Sequence, residues 1–229
     1  QTRNEEALEI IKRKTMNIND ISFYTDMCKQ VGLPYSTELM LGNPGETVDS
    51  WKDGYIEVVA DGISCDIYAV ALLPGAELAS EASLKEHGIE YEPVQFPGVA
   101  NPKYRPVKEW MNQIVATKYM NRNEMREMFE WTWCTRLGHE FNFTRELANY
   151  CEKHNVATMR EFYDSFYEYI STSKGILNKY YADVLLFRTE KYEYTLALKN
   201  IQFRDNLSLE DRELVKTDIK AFASQYNLP

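Results

Sequence analysis

The residues best suited to chemistry lie where a short predicted strand runs into a glycine–proline turn. Residues 35–41 alternate apolar and polar side chains as a half-buried strand does, and Gly42-Asn43-Pro44-Gly45 predicts a tight turn. Apolar residues at helical spacing follow from Val48 to Val59 and indicate a helix. A strand, a turn and a helix form half of a βαβ unit, in which ligands bind at the carboxyl end of the strand. We therefore expect a ligand site at this turn.

Two charged side chains near this unit are candidates for binding. Glu38 carries a charge into a segment that reads as a buried strand, which is costly unless the carboxylate is paired. Its same-face neighbours, Ser36 and Met40, form no apolar stripe, so we favour a functional role for Glu38. Arg13 offers a forked guanidinium that suits a carboxylate. The alternative for Arg13 is an ordinary surface pair with Glu9, four residues earlier on a predicted helix.

A second strand is predicted after the helix. Asp61-Gly62 indicates a turn, and the run from Ile67 to Leu72 is almost continuously apolar, which is typical of a parallel strand buried on both faces. We expect strands at 35–41 and 65–72 to be adjacent and parallel, with the helix at 48–60 as a right-handed crossover.

The rest of the chain reads as two further regions. Prolines break up residues 81–107, which we interpret as an irregular connector after a short helix between Glu77 and His87. Residues 108–229 read as a helical domain whose abundant aromatic side chains are core. The predicted helices there are 108–120, 123–137, 144–154, 158–171, 174–187, 190–200 and 208–226.

Composition excludes several classes of protein. The 229 residues carry a formal charge of −9, which argues against a general nucleic-acid binder. Neither an apolar run long enough to span a membrane nor a signal sequence is evident, so we expect no membrane partner. The 4 cysteines and 3 histidines are widely scattered and predict neither a disulfide framework nor a metal site. Buried reduced thiols in a cytoplasmic protein are the simplest interpretation.

Four motifs in order resemble a known enzyme family. They are Gln1-Thr2, the helix ending in Arg13, the strand and turn from Glu38 to Thr47, and the Tyr-Ala-Val-Ala-Leu-Leu-Pro-Gly stretch that starts at Tyr68. Together they resemble the second half of the radical S-adenosylmethionine (SAM) barrel, in its coproporphyrinogen-dehydrogenase-like and cobalamin-dependent branches. Ala76 stands where the family usually has threonine.

The resemblance implies a fold and a set of cofactors. The fold would be α/β: residues 1–80 as the C-terminal half of a partial (β/α)6 TIM-type barrel, followed by an all-helical domain. The family's Cys-x3-Cys-x2-Cys loop, which holds a [4Fe–4S] cluster, is absent here. We therefore expect a C-terminal fragment whose cluster lies in an upstream segment and which alone is inactive. SAM would be the bound cofactor, and cobalamin would enter in one branch.

The resemblance also implies roles for individual residues. The family cleaves SAM reductively to a 5′-deoxyadenosyl radical, used for hydrogen abstraction or methyl transfer, and the protein positions the cofactor. Arg13 would bind the methionine carboxylate, Glu38 the ribose hydroxyls or the amino group, and Gln1 a ribose hydroxyl. The adenine edge would pair with the backbone after Val70. The full set of implied SAM-binding residues is Gln1, Arg13, Glu38, Gly42, Pro44, Tyr68, Val70 and Leu72.

Two alternatives stay open. The helical region could be a non-enzymatic binding or assembly module on a vestigial half-barrel, or the chain could belong to a different α/β barrel enzyme. A half-barrel leaves an open strand edge and an uncovered apolar face, so we expect either that the helical domain folds back over this face or that the chain self-associates through it. The substrate, a small molecule or a peptide, is not specified by the sequence.

Overall fold

A computed structural model describes residues 2–14, 18–95, 110–190 and 205–226. The chain divides into two compact units, Gln1–Phe129 and Glu130–Pro229, which are described separately. Within the described residues, no helix is both long enough and apolar enough to cross a membrane.

The first unit mixes helices with two small sheets. Its elements are α1 (Glu5–Ile10), α2 (Ile18–Val31), β1 (Ser36–Leu41), α3 (Val48–Ala60), β2 (Ser64–Ala69), β3 (Ala71–Leu72), a 3-10 turn (Glu77–Ala79), α4 (Glu81–His87), β4 (Glu90–Gln95), β5 (Trp110–Ala116) and the start of α5 (Arg122–His139). The predicted short helix before Gly88 is confirmed as α4, and Gly88 ends it in the left-handed conformation with φ 58°.

The predicted parallel strand pair is confirmed. β1 and β2 are parallel from Ser36 opposite Ser64 to Leu41 opposite Ala69, and the crossover helix α3 packs against β2. α3 begins with a reciprocal capping box between Thr47 and Ser50. Its buried side chains, Trp51, Tyr55, Val58 and Val59, recur at helical spacing as the sequence predicts.

The structure differs from the sequence prediction in two segments beyond residue 80. Residues 110–116 form strand β5, not a helix at 108–120, and β5 pairs antiparallel with both β3 and β4. Residues 90–95, read as part of an irregular loop, form strand β4. Ile114, Val115 and Ala116 are buried, and pairing on both edges of β5 outweighs the local helical pattern.

The two sheets meet at one residue. Val70 separates β2 from β3; its N–H donates to the Leu41 carbonyl at 2.9 Å, and its carbonyl accepts from the Ile114 N–H at 2.9 Å. The chain is therefore α/β as predicted, and no closed barrel is formed by the described residues. The half-barrel and the domain division at residues 80 and 107 stay predictions.

The second unit is helical throughout its described residues. It contains the rest of α5, α6 (Arg145–Lys153), α7 (Met159–Thr172), α8 (Ile176–Glu190), α9 (Leu209–Ala223) and a 3-10 turn (Ser224–Tyr226). These confirm the predicted helices except 190–200, nearly all of which lies outside the described residues. Trp131, Phe162, Tyr163 and Phe166 are fully buried, so these four aromatic residues are core, as interpreted.

Candidate functional site

The β1–β2 pair presents one polar face, which we call the acidic face: Ser36, Glu38, Met40, Ser64, Asp66 and Tyr68. The register sets Glu38 opposite Asp66 and Met40 opposite Tyr68. Side chains alternate across a strand, so these residues share a side, while Leu39, Leu41 and Cys65 on the other side are buried. Two carboxylates, a phenol and a thioether therefore line one surface of a parallel strand pair.

The acidic face differs from the sequence expectation in its exposure. Glu38 is exposed and Asp66 and Tyr68 are half-buried, so β2 is not buried on both faces. Burial therefore places no cost on Glu38, and the argument from a buried charge does not apply to it. Asp66 was missed because the apolar run was read from Ile67. The alternation of Ser64, Asp66 and Tyr68 was the available signal for a half-exposed strand.

The turn after β1 is the most tightly packed part of the site. Every residue from Leu41 to Glu46 is buried, and the Asn43 Nδ2 donates to the Met40 carbonyl at 2.6 Å. Gly45 has φ +93°, and a Cβ on it would lie 2.8 Å from the backbone nitrogen of Ala7. Glycine is required here both by the positive φ and by the approach of α1.

Glu46 is a buried acid in this turn that sequence reasoning assigned only to a turn or a helix cap. Thr47, not Glu46, caps α3. The Thr2 hydroxyl donates to Glu46 Oε1 at 2.5 Å, while Oε2 is buried and has no hydrogen-bond partner. Burial raises the pKa of the Glu46 carboxyl to about 7, and the Thr2 hydrogen bond opposes this only in part.

The residue after Thr2, Arg3, connects the same segment to helix α3. Arg3 makes a bidentate ion pair with Glu57 on α3, with Nε and Nη2 each 2.9 Å from a carboxylate oxygen. This pairing raises the pKa of the Arg3 guanidinium and lowers the pKa of the Glu57 carboxyl. Thr2 and Arg3 thereby connect this segment to the β1–α3 turn and to α3.

The other predicted site residues fall in three environments. Arg13 is exposed and lies beyond the end of α1 at Ile10, so it is not on a helix with Glu9 as expected. Gln1 lies outside the described residues. Gly42, Pro44, Val70 and Leu72 are buried, and Tyr68 is half-buried. The convergence of Gln1, Arg13 and Glu38 on one ligand stays a prediction.

The predicted pairing of an adenine edge with the backbone after Val70 stays a prediction, and part of this backbone already pairs within the chain. Both main-chain groups of Val70 are already used, by Leu41 and by Ile114. Ala71 and Leu72 pair with Gln113 and Asn112 of β5. Within the described residues, β5 therefore occupies one edge of β3.

The side chains of the acidic face are hydrogen-bond acceptors, and the cysteines of the chain do not cluster. Carboxylates and a phenol can accept hydrogen bonds from an ammonium group or from ribose hydroxyls. The cysteines are single: Cys28 is half-buried, and Cys65, Cys134 and Cys151 are buried. Within the described part of the chain, no three His, Cys, Asp or Glu side chains come close enough to hold a metal ion. We assign no cluster ligand to this chain.

Comparison with known proteins identifies two relatives among curated sequences, while no family model matches the chain. The chain is 24% identical over 177 residues to the cobalamin-dependent radical SAM methyltransferase TokK of Streptomyces tokunonensis, a match that covers 75% of this chain and 25% of that protein. It is 24% identical over 175 residues to a 2-(S-pantetheinyl)-carbapenam-3-carboxylate methyltransferase of Streptantibioticus cattleyicolor, covering 74% and 25%. The chain thus spans about a quarter of the length of the curated relatives it matches. The comparisons support a distant relationship to cobalamin-dependent radical SAM methyltransferases.

Proposed function

We propose that this chain is part of a cobalamin-dependent radical SAM methyltransferase and supplies one wall of its SAM site. The observation that carries the proposal is the acidic face, where Glu38 of β1 and Asp66 of β2 stand side by side on parallel strands, and β1 leads directly into the Gly42–Glu46 turn. The similarity to two methyltransferases supports the same class of reaction. The cluster and the cobalamin would be held by other parts of the protein.

The residues of this chain would bind and orient the cofactor. Bound SAM supplies a methyl group or, after one-electron reduction, a radical that abstracts hydrogen. Glu38 and Asp66 would accept hydrogen bonds from its ammonium or ribose hydroxyls, and two carboxylates also attract its sulfonium charge. Glu38 lies three residues before the end of β1, about 10 Å along the strand at ~3.3 Å per residue. That length suits an extended ligand which reaches from Glu38 to the turn.

The proposal is tested by SAM affinity of the full-length protein under anaerobic conditions. Glu38→Gln and Asp66→Asn keep the side-chain shapes and remove the charges. Each should raise the dissociation constant for SAM about tenfold, which corresponds to ~1.4 kcal/mol. Glu77→Gln removes the carboxylate of an exposed ion pair with Lys12 in the same unit and should leave the affinity unchanged. Unchanged affinity in both acidic-face variants would rule out this wall as the SAM site.

A further inference from the structure

Capping of helix α3 does not explain why the Glu46 carboxyl is buried. The capping box of α3 is complete without it, yet Glu46 is 2% exposed and one of its two oxygens has no partner. A buried polar atom without a hydrogen bond is expensive. The side chain is retained inside the turn by its contact with Thr2, which is itself 1% exposed.

This contact closes a ring of interactions around the turn. The Thr2 hydroxyl donates to Glu46 and accepts from the Asn4 N–H at 3.1 Å. Asn4 in turn caps α1, because its Oδ1 accepts from the Ala7 N–H at 2.9 Å. Ala7 lies against Gly45, where a Cβ would not fit. These contacts connect the Gly42–Glu46 turn, residues 2–4 and helix α1 to one another.

We propose that Glu46 is a positioning residue that, acting through the Thr2 hydroxyl, sets the placement of α1 and its flanking residues against the turn at the end of β1. The residues it places include Arg13, which follows α1. We call the contacts that join Glu46, Thr2, Asn4 and Ala7 the Thr2 clamp. The expected effect of this clamp on SAM affinity rests on the proposed function, whereas the clamp itself does not. Glu46 touches no reacting atom in this account and acts only through Thr2.

The clamp is tested in the chain itself by hydrogen exchange of a peptide covering residues 4–11. Thr2→Val removes the hydroxyl at nearly constant shape and should speed exchange in α1 about tenfold, whereas Thr2→Ser should restore the native rate. Glu46→Leu should behave like Thr2→Val, and Glu46→Gln, which keeps an acceptor for Thr2, should behave like the native chain. If Glu46→Leu does not fold, the Thr2 pair and Glu46→Gln decide the question. Glu77→Gln is the control on an exposed carboxylate.

The consequence for the cofactor is tested in the full-length protein. Thr2→Val should raise the SAM dissociation constant about tenfold and leave kcat at saturating SAM unchanged, and Thr2→Ser should restore the affinity. If Thr2→Val shows the native rate of hydrogen exchange in α1 and the native affinity for SAM, the inference is overturned. If the native full-length protein binds no SAM, the proposed function fails, and the exchange rates still establish or refute the clamp.

Discussion

At the scale of single residues, protonation of the buried Glu46 carboxyl affects the stability of the fold. The pKa of the Glu46 carboxyl is raised from 4.5 to about 7 in the folded chain because the ionised form is desolvated. The folded state therefore holds this proton more tightly than the unfolded state does. The stabilisation is fully present below pH 4.5 and is lost as the pH rises toward and past 7.

The first prediction is a stability difference between acidic and alkaline solution. From this group alone, the free energy of unfolding should fall by about 2 kcal/mol between roughly pH 5.5 and pH 8. Glu46→Gln, which cannot ionise, should remove that part of the pH dependence. Urea unfolding of both proteins at the two pH values gives the comparison. Equal pH dependence in the native chain and in Glu46→Gln would show that this carboxyl does not titrate in the range.

The residues that the sequence located and those that it missed differ in one physical respect. Strand alternation and a local motif point to Glu38 and Tyr68, whose roles stay predictions. Asp66 becomes significant only through the register that sets it opposite Glu38. Thr2 and Glu46 are 44 residues apart, and no local pattern reports such a contact. Sequence periodicity predicts which side of an element a residue occupies, but not its partner on another element.

At the scale of elements, the same limit explains the outcome for β5. Parallel pairing of β1 with β2 followed from local strand patterns and a short crossover. Residues 110–116 also satisfy a helical spacing, and only the open edges of β3 and β4 make the strand the better solution. Helices α7 and α9 needed no such partner to be recognised, because their capping boxes and apolar stripes are encoded within each segment.

In the second unit, a carboxylate on helix α9 caps the start of helix α8. Asp218 on α9 accepts a hydrogen bond from the Leu177 N–H, in the first turn of α8, at 2.9 Å. A Cβ on Gly175 would lie 2.0 Å from Asp218 Oδ1, so the carboxylate occupies the space that any larger residue would need. This arrangement supplies a helix cap from a distant part of the chain.

We expect Gly175→Ala to destabilise the second unit by about 2 kcal/mol or more, since it must displace this buried carboxylate. Asp218→Ala alone should cost about 1–2 kcal/mol through the lost cap. In the double variant Gly175→Ala/Asp218→Ala the two costs should not add, because the clash is gone. Urea unfolding of the four proteins forms the cycle, and strict additivity would contradict a direct contact between the two positions.

At the scale of the whole molecule, an apolar surface on α2 bears on how the chain behaves in solution. Phe23, Tyr24, Met27 and Val31 lie at helical spacing along one side of α2 and are 60%, 55%, 49% and 70% exposed. β1 follows α2 in the same unit and, within the described residues, is paired with β2 alone. An apolar helix face and an open strand edge on one unit are both surfaces that promote association.

We expect this chain, purified alone, to self-associate through the α2 face. Light scattering coupled to gel filtration should give an apparent mass that rises with protein concentration. The double variant Phe23→Glu/Val31→Glu should return the chain to a monomer. Association would bury these carboxylates between two copies, where they repel each other and are costly to desolvate. Leu209 is also exposed, at 84%, but lies in the other unit, so Leu209→Glu should leave the association unchanged. A constant monomeric mass for the native chain over a hundredfold range of concentration would show that the α2 face does not bind a second copy. Association that survives Phe23→Glu/Val31→Glu would place the contact on another surface, with the open edge of β1 the next to be tested.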